Sequence, residues 1–155
     1  MILPHAESTS PFQQFSFRER EYLCRLAFTL DVDQWLPQGN RSDFDATFTH
    51  KDRLFIIESK VRNFPSTKFD STMIEQPKYN KIKGYWKNKQ CFDAWYVEFF
   101  NDDVALIYFL SQVEPTEWVR ETHVKNTAEN KGKIVKVIGY LPYSKGKMVK
   151  LINNV

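Results

Sequence analysis

The chain has 155 residues and a mass of 18.4 kDa, with 42 % apolar and 15 % aromatic residues, which excludes a disordered chain and fits one domain with a sizeable core. Its net charge of +3 and pI of about 8.8 are only mildly basic, so the position of the charges says more about partners than their sum. Cys24 and Cys91 are too few for a disulfide framework, the scattered His5, His50 and His123 do not make a zinc site, and the longest apolar run, residues 104–110, is far short of a membrane span.

Residues 1–15 read as an irregular arm. Met1-Ile2-Leu3 is followed at once by Pro4, so no signal peptide is expected, and a reducing cytoplasm with buried, reduced cysteines is the default. Helical periodicity begins near Ser16: Tyr22, Leu23, Leu26, Ala27 and Leu30 share one face. Glu19, four residues before Leu23, falls on that packed face, where a carboxylate is costly without a partner, whereas Glu21 points away. A short strand around Trp35 and a turn over residues 37–40 follow.

Asp43-Phe44-Asp45-Ala46-Thr47-Phe48 and Leu54-Phe55-Ile56-Ile57-Glu58-Ser59-Lys60 then read as two strands of a tight hairpin centred on Lys51-Asp52. That register sets His50 opposite Arg53 and Asp45 opposite Glu58. Residues 63–71 look like a loop, and residues 73–86 like a second helix that starts or kinks near Pro77. Strands are expected over residues 92–100 and 104–110, a short helix over 115–124, and a polar loop over 127–132. A closing hairpin is expected from residues 134–141 and 148–152 around a turn at 144–146. The order of helices and strands predicts an α/β domain with a mixed central sheet flanked by helices.

Four large apolar residues, Leu54 to Ile57, run directly into Glu58 and Lys60, so charge appears at the end of a buried strand. Glu58 and Lys60 share a strand face. Directly opposed residues have Cβ atoms about 5 Å apart, so Asp45 and Glu58 repel unless a cation lies between them or one takes up a proton. A hard divalent ion such as Mg2+, with oxygen ligands, resolves that conflict. Asp43 shares the face of Asp45, is the competing choice of carboxylate, and in this register pairs with Lys60. The plain alternative is a solvated Glu-x-Lys ion pair.

Asp45 followed by Glu58-Ser59-Lys60 after an apolar strand, with a helix before and after, resembles the PD-(D/E)XK nuclease superfamily. The resemblance covers about residues 16–110, leaving 111–155 as a C-terminal extension, and implies a restriction-endonuclease-like αβββαβ core. Phe44 stands where the nominal motif has proline. It implies Mg2+-dependent hydrolysis of DNA phosphodiester bonds, with Mn2+ as a substitute. Asp45, Glu58 and the main chain of Ser59 would hold the metal, and Lys60 would orient the attacking water. Members resembling Holliday-junction resolvases add a glutamate from the first helix, which here is Glu19, with Glu21 in reserve. The second helix often sends a polar or basic residue to the site, for which Gln76 and Lys78 are the candidates. Lys81, Arg62 and the lysines at 131, 133, 136, 145, 147 and 150 are candidate phosphate contacts. Trp95, Tyr96, Phe99 and Phe100 are expected in the core. The expected partners are DNA and a second copy in a homodimer, with no membrane and no small-molecule cofactor. The competing functions are a catalytically inactive nucleic-acid-binding module of the same fold, and an interaction domain whose charged pair is structural.

Overall fold

A computed structural model describes residues 11–39, 41–124 and 132–153. Helix α1 spans Pro11–Leu30, followed by strands β1 (Gln34–Pro37), β2 (Ala46–His50), β3 (Arg53–Val61) and β4 (Ser71–Glu75). Helix α2 (Gln76–Lys87) precedes β5 (Asp93–Phe99), β6 (Val104–Phe109), β7 (Val119–Val124), β8 (Lys133–Pro142) and β9 (Lys147–Lys150). Six strands form the main sheet in the order β1-β2-β3-β5-β6-β9, and three form a second sheet in the order β4-β8-β7. Among the described strands only β3 and β5 run parallel; the other pairs are antiparallel. A parallel pair needs a crossover, and here it carries β4 and α2 over one face of the main sheet.

The strand alternation divides the core in two. Ile57 and Val61 of β3 pack with Leu23, Leu26 and Ala27 of α1, and with Ala46 and Phe48 of β2. Ile56 faces the other way, among Ile74 of β4, Tyr79 and Ile82 of α2, and Tyr96 and Tyr108. Every residue of β5 is buried, as expected for the strand at the centre of a covered sheet. Trp95, Tyr96, Phe99 and Phe100 all lie in this core. Arg25 ties the back of α1 to the chain end: its guanidinium donates to the Ile152 carbonyl at 2.9 Å, to Asp103 at 2.9 Å and to Asn153 at 2.8 Å. Cys24 is buried, Cys91 is half-buried, and both are free thiols. No helix among the described residues is long and apolar enough to cross a membrane.

The mixed α/β sheet, the β2–β3 hairpin and the β5–β6 pair stand as expected from sequence. Four local expectations do not. Helix α1 starts at Pro11 rather than near Ser16, so only residues 1–10 of the expected arm are left, and these lie outside the described residues. Residues 71–75 form a strand, and the second helix starts only at Gln76, with Pro77 in its first turn. Proline disfavours helix in the residue before it, which fits a start at this point. Residues 119–124 are a strand, not a helix: Val119, Thr122 and Val124 are β-branched, and they pair with β8. The closing hairpin does not exist, because β8 pairs with β4 and β7 whereas β9 pairs with β6 at the edge of the main sheet. The polar loop expected over 127–132 lies outside the described residues except for Gly132.

Two glycines should respond oppositely to substitution. A Cβ on Gly139 would run into the Pro115 ring and Trp118, whereas one on Gly84, inside α2, meets nothing within 4 Å. Urea denaturation is expected to show Gly139→Ala destabilised by about 1–3 kcal/mol and Gly84→Ala stabilised by up to about 1 kcal/mol.

Candidate functional site

Sequence fixes the position of the acidic residues through the β2–β3 turn. Lys51 and Asp52 both have positive φ, at 51° and 63°, the pair of left-handed residues that a two-residue hairpin requires. His50 therefore faces Arg53, and the register continues to Ala46 opposite Ile57. One residue further, the Asp45 amide donates to the Ile57 carbonyl at 2.8 Å, which sets Asp45 against Glu58 at the end of the ladder. The Ser59 amide donates to Asp45 Oδ2 at 2.7 Å and its hydroxyl donates to the same oxygen at 3.2 Å, so the carboxylate is held from two directions.

Three acidic groups meet there. Glu58 is only 7 % exposed. Burial first, and then the charge of Asp45, push its pKa up to about 7, against the pull of Lys78. Glu19 arrives from α1, where it shares the packed face with Leu23. Burial, the Asp45 charge, a hydrogen bond with Asp45, and Glu58 push it up to about 8. A hydrogen bond between two carboxyl groups requires a proton on one of them.

Lysines surround this group. Lys78, in the first turns of α2, places Nζ 3.2 Å from Glu58 Oε1. Burial lowers the pKa of Lys60, helped by the like charges of Arg62, Lys78 and Lys136 and opposed by Glu75. Glu75, directly before α2, pairs with Lys136 of β8 at 2.6 Å. The second sheet thus delivers a cation to the edge of the site, through a residue expected only as part of a basic surface.

Asp43 is separated from Asp45 by the structure. It lies before β2, accepts a hydrogen bond from the Tyr85 hydroxyl at 2.7 Å and pairs with Lys81 at 3.4 Å, so the expected contact with Lys60 is absent and Lys81 is engaged by Asp43. Asp45 is the aspartate that joins Glu58. Gln76 opens α2 and is half-buried, next to the Glu75–Lys136 pair. Glu21 is exposed, as expected from its face. Arg62, expected at a DNA phosphate, has an internal partner instead: its Nη2 and Nε donate to Glu98 Oε1 at 2.7 and 3.2 Å. Glu98, a fully buried carboxylate of β5, was not foreseen, because within the run Asp93–Phe99 only the register shows that it lies beside Lys60. Lys133, Lys145, Lys147 and Lys150 are exposed, and Lys131 lies outside the described residues.

The donor chemistry fits a hard divalent ion: carboxylate oxygens of Asp45, Glu58 and Glu19 converge at the end of a sheet, where burial first and then neighbouring negative charge hold Glu19 and Glu58 toward the protonated form. No ready-made coordination group of three or more His, Cys, Asp or Glu stands among the described residues, and the positive charge at Glu58 is supplied by Lys78.

The raised pKa values carry a stability consequence. Both folded values lie above the ordinary 4.5 of a glutamate, so between about 4.5 and 8 the folded chain binds more protons than the unfolded one. Stability falls as pH rises through that window. Replacing the charge relieves this, so Glu58→Gln should raise the stability of the metal-free protein at pH 8 by on the order of 1–3 kcal/mol, and so several degrees in Tm, with no gain at pH 4. Thermal melts at the two pH values measure the difference.

No protein-family model matches this sequence, and no curated protein does. Among solved structures, Hjc of Archaeoglobus fulgidus, a Holliday junction resolvase from an archaeal hyperthermophile, is similar over 88 % of this chain and 92 % of that one. The TM-score is 0.58 at 11 % sequence identity. Helix α1, the β1–β2–β3 strands, the crossover through α2 and the return into β5 are the αβββαβ order expected from the sequence, and on that topology and this likeness the chain has a restriction-endonuclease-like fold.

Proposed function

We propose that the protein is a metal-dependent endonuclease that hydrolyses DNA phosphodiester bonds, with a preference for DNA structure over sequence. The observation that carries this reading is the meeting of Glu19, Asp45 and Glu58, with Lys78 paired to Glu58 and Lys60 two residues further along the same strand, at the end of the hairpin in a resolvase-like fold. A preference for structure is supported by the likeness to Hjc, a Holliday junction resolvase.

Asp45, Glu58 and the Ser59 carbonyl would hold Mg2+ or Mn2+, with Glu19 as a further oxygen donor. The ion supplies Lewis-acid charge next to the phosphate and makes hydroxide available near neutral pH. The chain's own residues do the rest. Ser59 fixes Asp45 through its amide and hydroxyl, so one donor is oriented in advance. Lys78 neutralises Glu58 in the metal-free protein and, once relieved of that charge, can meet a phosphate oxygen. Lys60 orients the attacking water and offsets charge growing on the phosphate. Gln76, and Lys81 once it leaves its exposed pair with Asp43, extend the contact along the DNA backbone from the same helix as Lys78.

A second reading, a binding module without catalysis, draws on the Lys78–Glu58 pair, which balances the carboxylate without a metal. The two are separated by incubating linear, flapped, single-stranded and four-way DNA with the protein and Mn2+ or Mg2+. Cleavage of branched DNA, lost with a chelator, is expected. Glu58→Ala and Lys60→Ala should each lower turnover by at least about a hundredfold with the fold intact by circular dichroism. Asp43→Ala should stay within a few-fold of wild type. Full activity in both Glu58→Ala and Lys60→Ala would rule out this site, and salt-sensitive DNA binding without any cleavage would select the binding module.

A further inference from the structure

Lys60 has an oppositely charged neighbour that it does not use. In the parallel β3–β5 ladder its register partner is Glu98. Paired residues of adjacent strands point to the same face, with the strands about 4.8 Å apart. A lysine so placed ordinarily closes on such a carboxylate, the more so when the carboxylate is 1 % exposed and cannot be solvated. No ion pair joins Lys60 to any carboxylate among the described residues, and Glu98 is already engaged. Arg62, two positions along the same strand face, sets Nη2 and Nε on Glu98 Oε1 at 2.7 and 3.2 Å. The Thr72 hydroxyl of β4 donates to the same oxygen, and Arg62 Nη2 lies 3.4 Å from that hydroxyl. An arginine fork is the stronger partner for a buried carboxylate, because it is planar, permanently charged and presents two donors at once.

We propose that Arg62 is a positioning residue: by occupying Glu98 it keeps the Lys60 ammonium off β5 and available to the carboxylate site formed by Asp45 and Glu58. The role assigned to Lys60 rests on the nuclease reading, but the competition for Glu98 does not. Arg62 does not touch substrate in this arrangement; it acts through Lys60. The other charged groups around Lys60 cannot take its place. Lys78 and Lys136 repel Lys60, and Glu75 is engaged by Lys136 at 2.6 Å. With Arg62 gone, Glu98 is left as a buried carboxylate without its cation, and Lys60 is its register partner.

The test compares Arg62→Met with the double variant Arg62→Met/Glu98→Gln, which removes bait and competitor together. In a crystal structure of Arg62→Met, Lys60 Nζ should lie within ion-pair distance of Glu98. In cleavage of four-way DNA with Mn2+, Arg62→Met should lose at least about tenfold in kcat with KM unchanged, and the double variant should recover most of the loss. A loss confined to KM, with a weaker salt dependence of DNA binding, would overturn the proposal and make Arg62 a phosphate contact. So would a Lys60 that keeps its position in Arg62→Met. If Arg62→Met does not fold, Arg62→Lys serves the same purpose. It keeps the charge but loses the fork, and partial capture of Lys60 by Glu98 is then expected in the crystal, with an unmoved Lys60 counting against the idea. If wild type cuts no DNA but Lys60 moves onto Glu98 in the variant, the nuclease reading fails and the positioning claim stands.

Discussion

The two hydrogen bonds from Ser59 to Asp45 are the constraint on which the site depends. They fix a carboxylate at the open end of the β2–β3 ladder, opposite a glutamate that the same strand has carried out of the core. Once Asp45 is held there it cannot retreat from Glu58, and α1 brings Glu19 against both. The fold therefore buries carboxyl groups beside one another at one point. The cost of that burial, and of the like charges added to it, is relieved in three ways available to any such cluster: a proton, a neighbouring ammonium, or a metal ion. In the metal-free chain the first two act together, through the raised carboxyl pKa values and through Lys78.

The rest of the architecture keeps that cluster in place and partly dry. Helix α1 packs against Ile57 and Val61 on one face of β3, which orients Glu19 toward the strand ends. Helix α2 packs Tyr79 and Ile82 on the opposite face and so carries Lys78 to Glu58. The second sheet seals this side: Ile74 of β4 and Leu141 of β8 join the core, while Glu75 and Lys136 meet at its edge. The buried Arg62–Glu98–Thr72 group lies between the two sheets, joining β3, β5 and β4 through polar contacts where the apolar packing is interrupted. Breaking one partner of such a group costs more than the pair contributes, because a buried charge is left uncompensated.

How much of this was legible in the sequence follows from what each element depends on. The hairpin was readable because its register is set locally, by two turn residues and an apolar run that must stay inside. Glu19 was readable because helical periodicity puts it on the face of Leu23. Lys78 was a candidate only through the family resemblance, since its contact with Glu58 depends on how α2 lies over the sheet. The second sheet was hidden for a different reason. Strand β4 is far in sequence from β8, its partner, and short strands such as Ser71–Glu75 carry too few alternations to separate them from the helix that follows. Residues 119–124 were misread because the partner that makes them a strand, β8, comes later in the chain. Non-local pairing dissolved the closing hairpin, since β8 pairs with β4 and β9 with β6. Arg62 and Glu98 are 36 positions apart, and only the parallel register brings them together.

The central claim is that Glu19, Asp45 and Glu58 form one electrostatic unit at the strand ends. The most direct test is a carboxyl carbon-13 NMR titration of the metal-free protein, resolved for these three residues and repeated with saturating Mg2+. Without metal, Glu58 should titrate near 7 and Glu19 near 8, each shifting when the other is replaced by glutamine. With Mg2+ both transitions should move toward acid. Independent transitions of Glu19 and Glu58 near the ordinary carboxylate range, unmoved by Mg2+ and by the substitutions, would contradict the account.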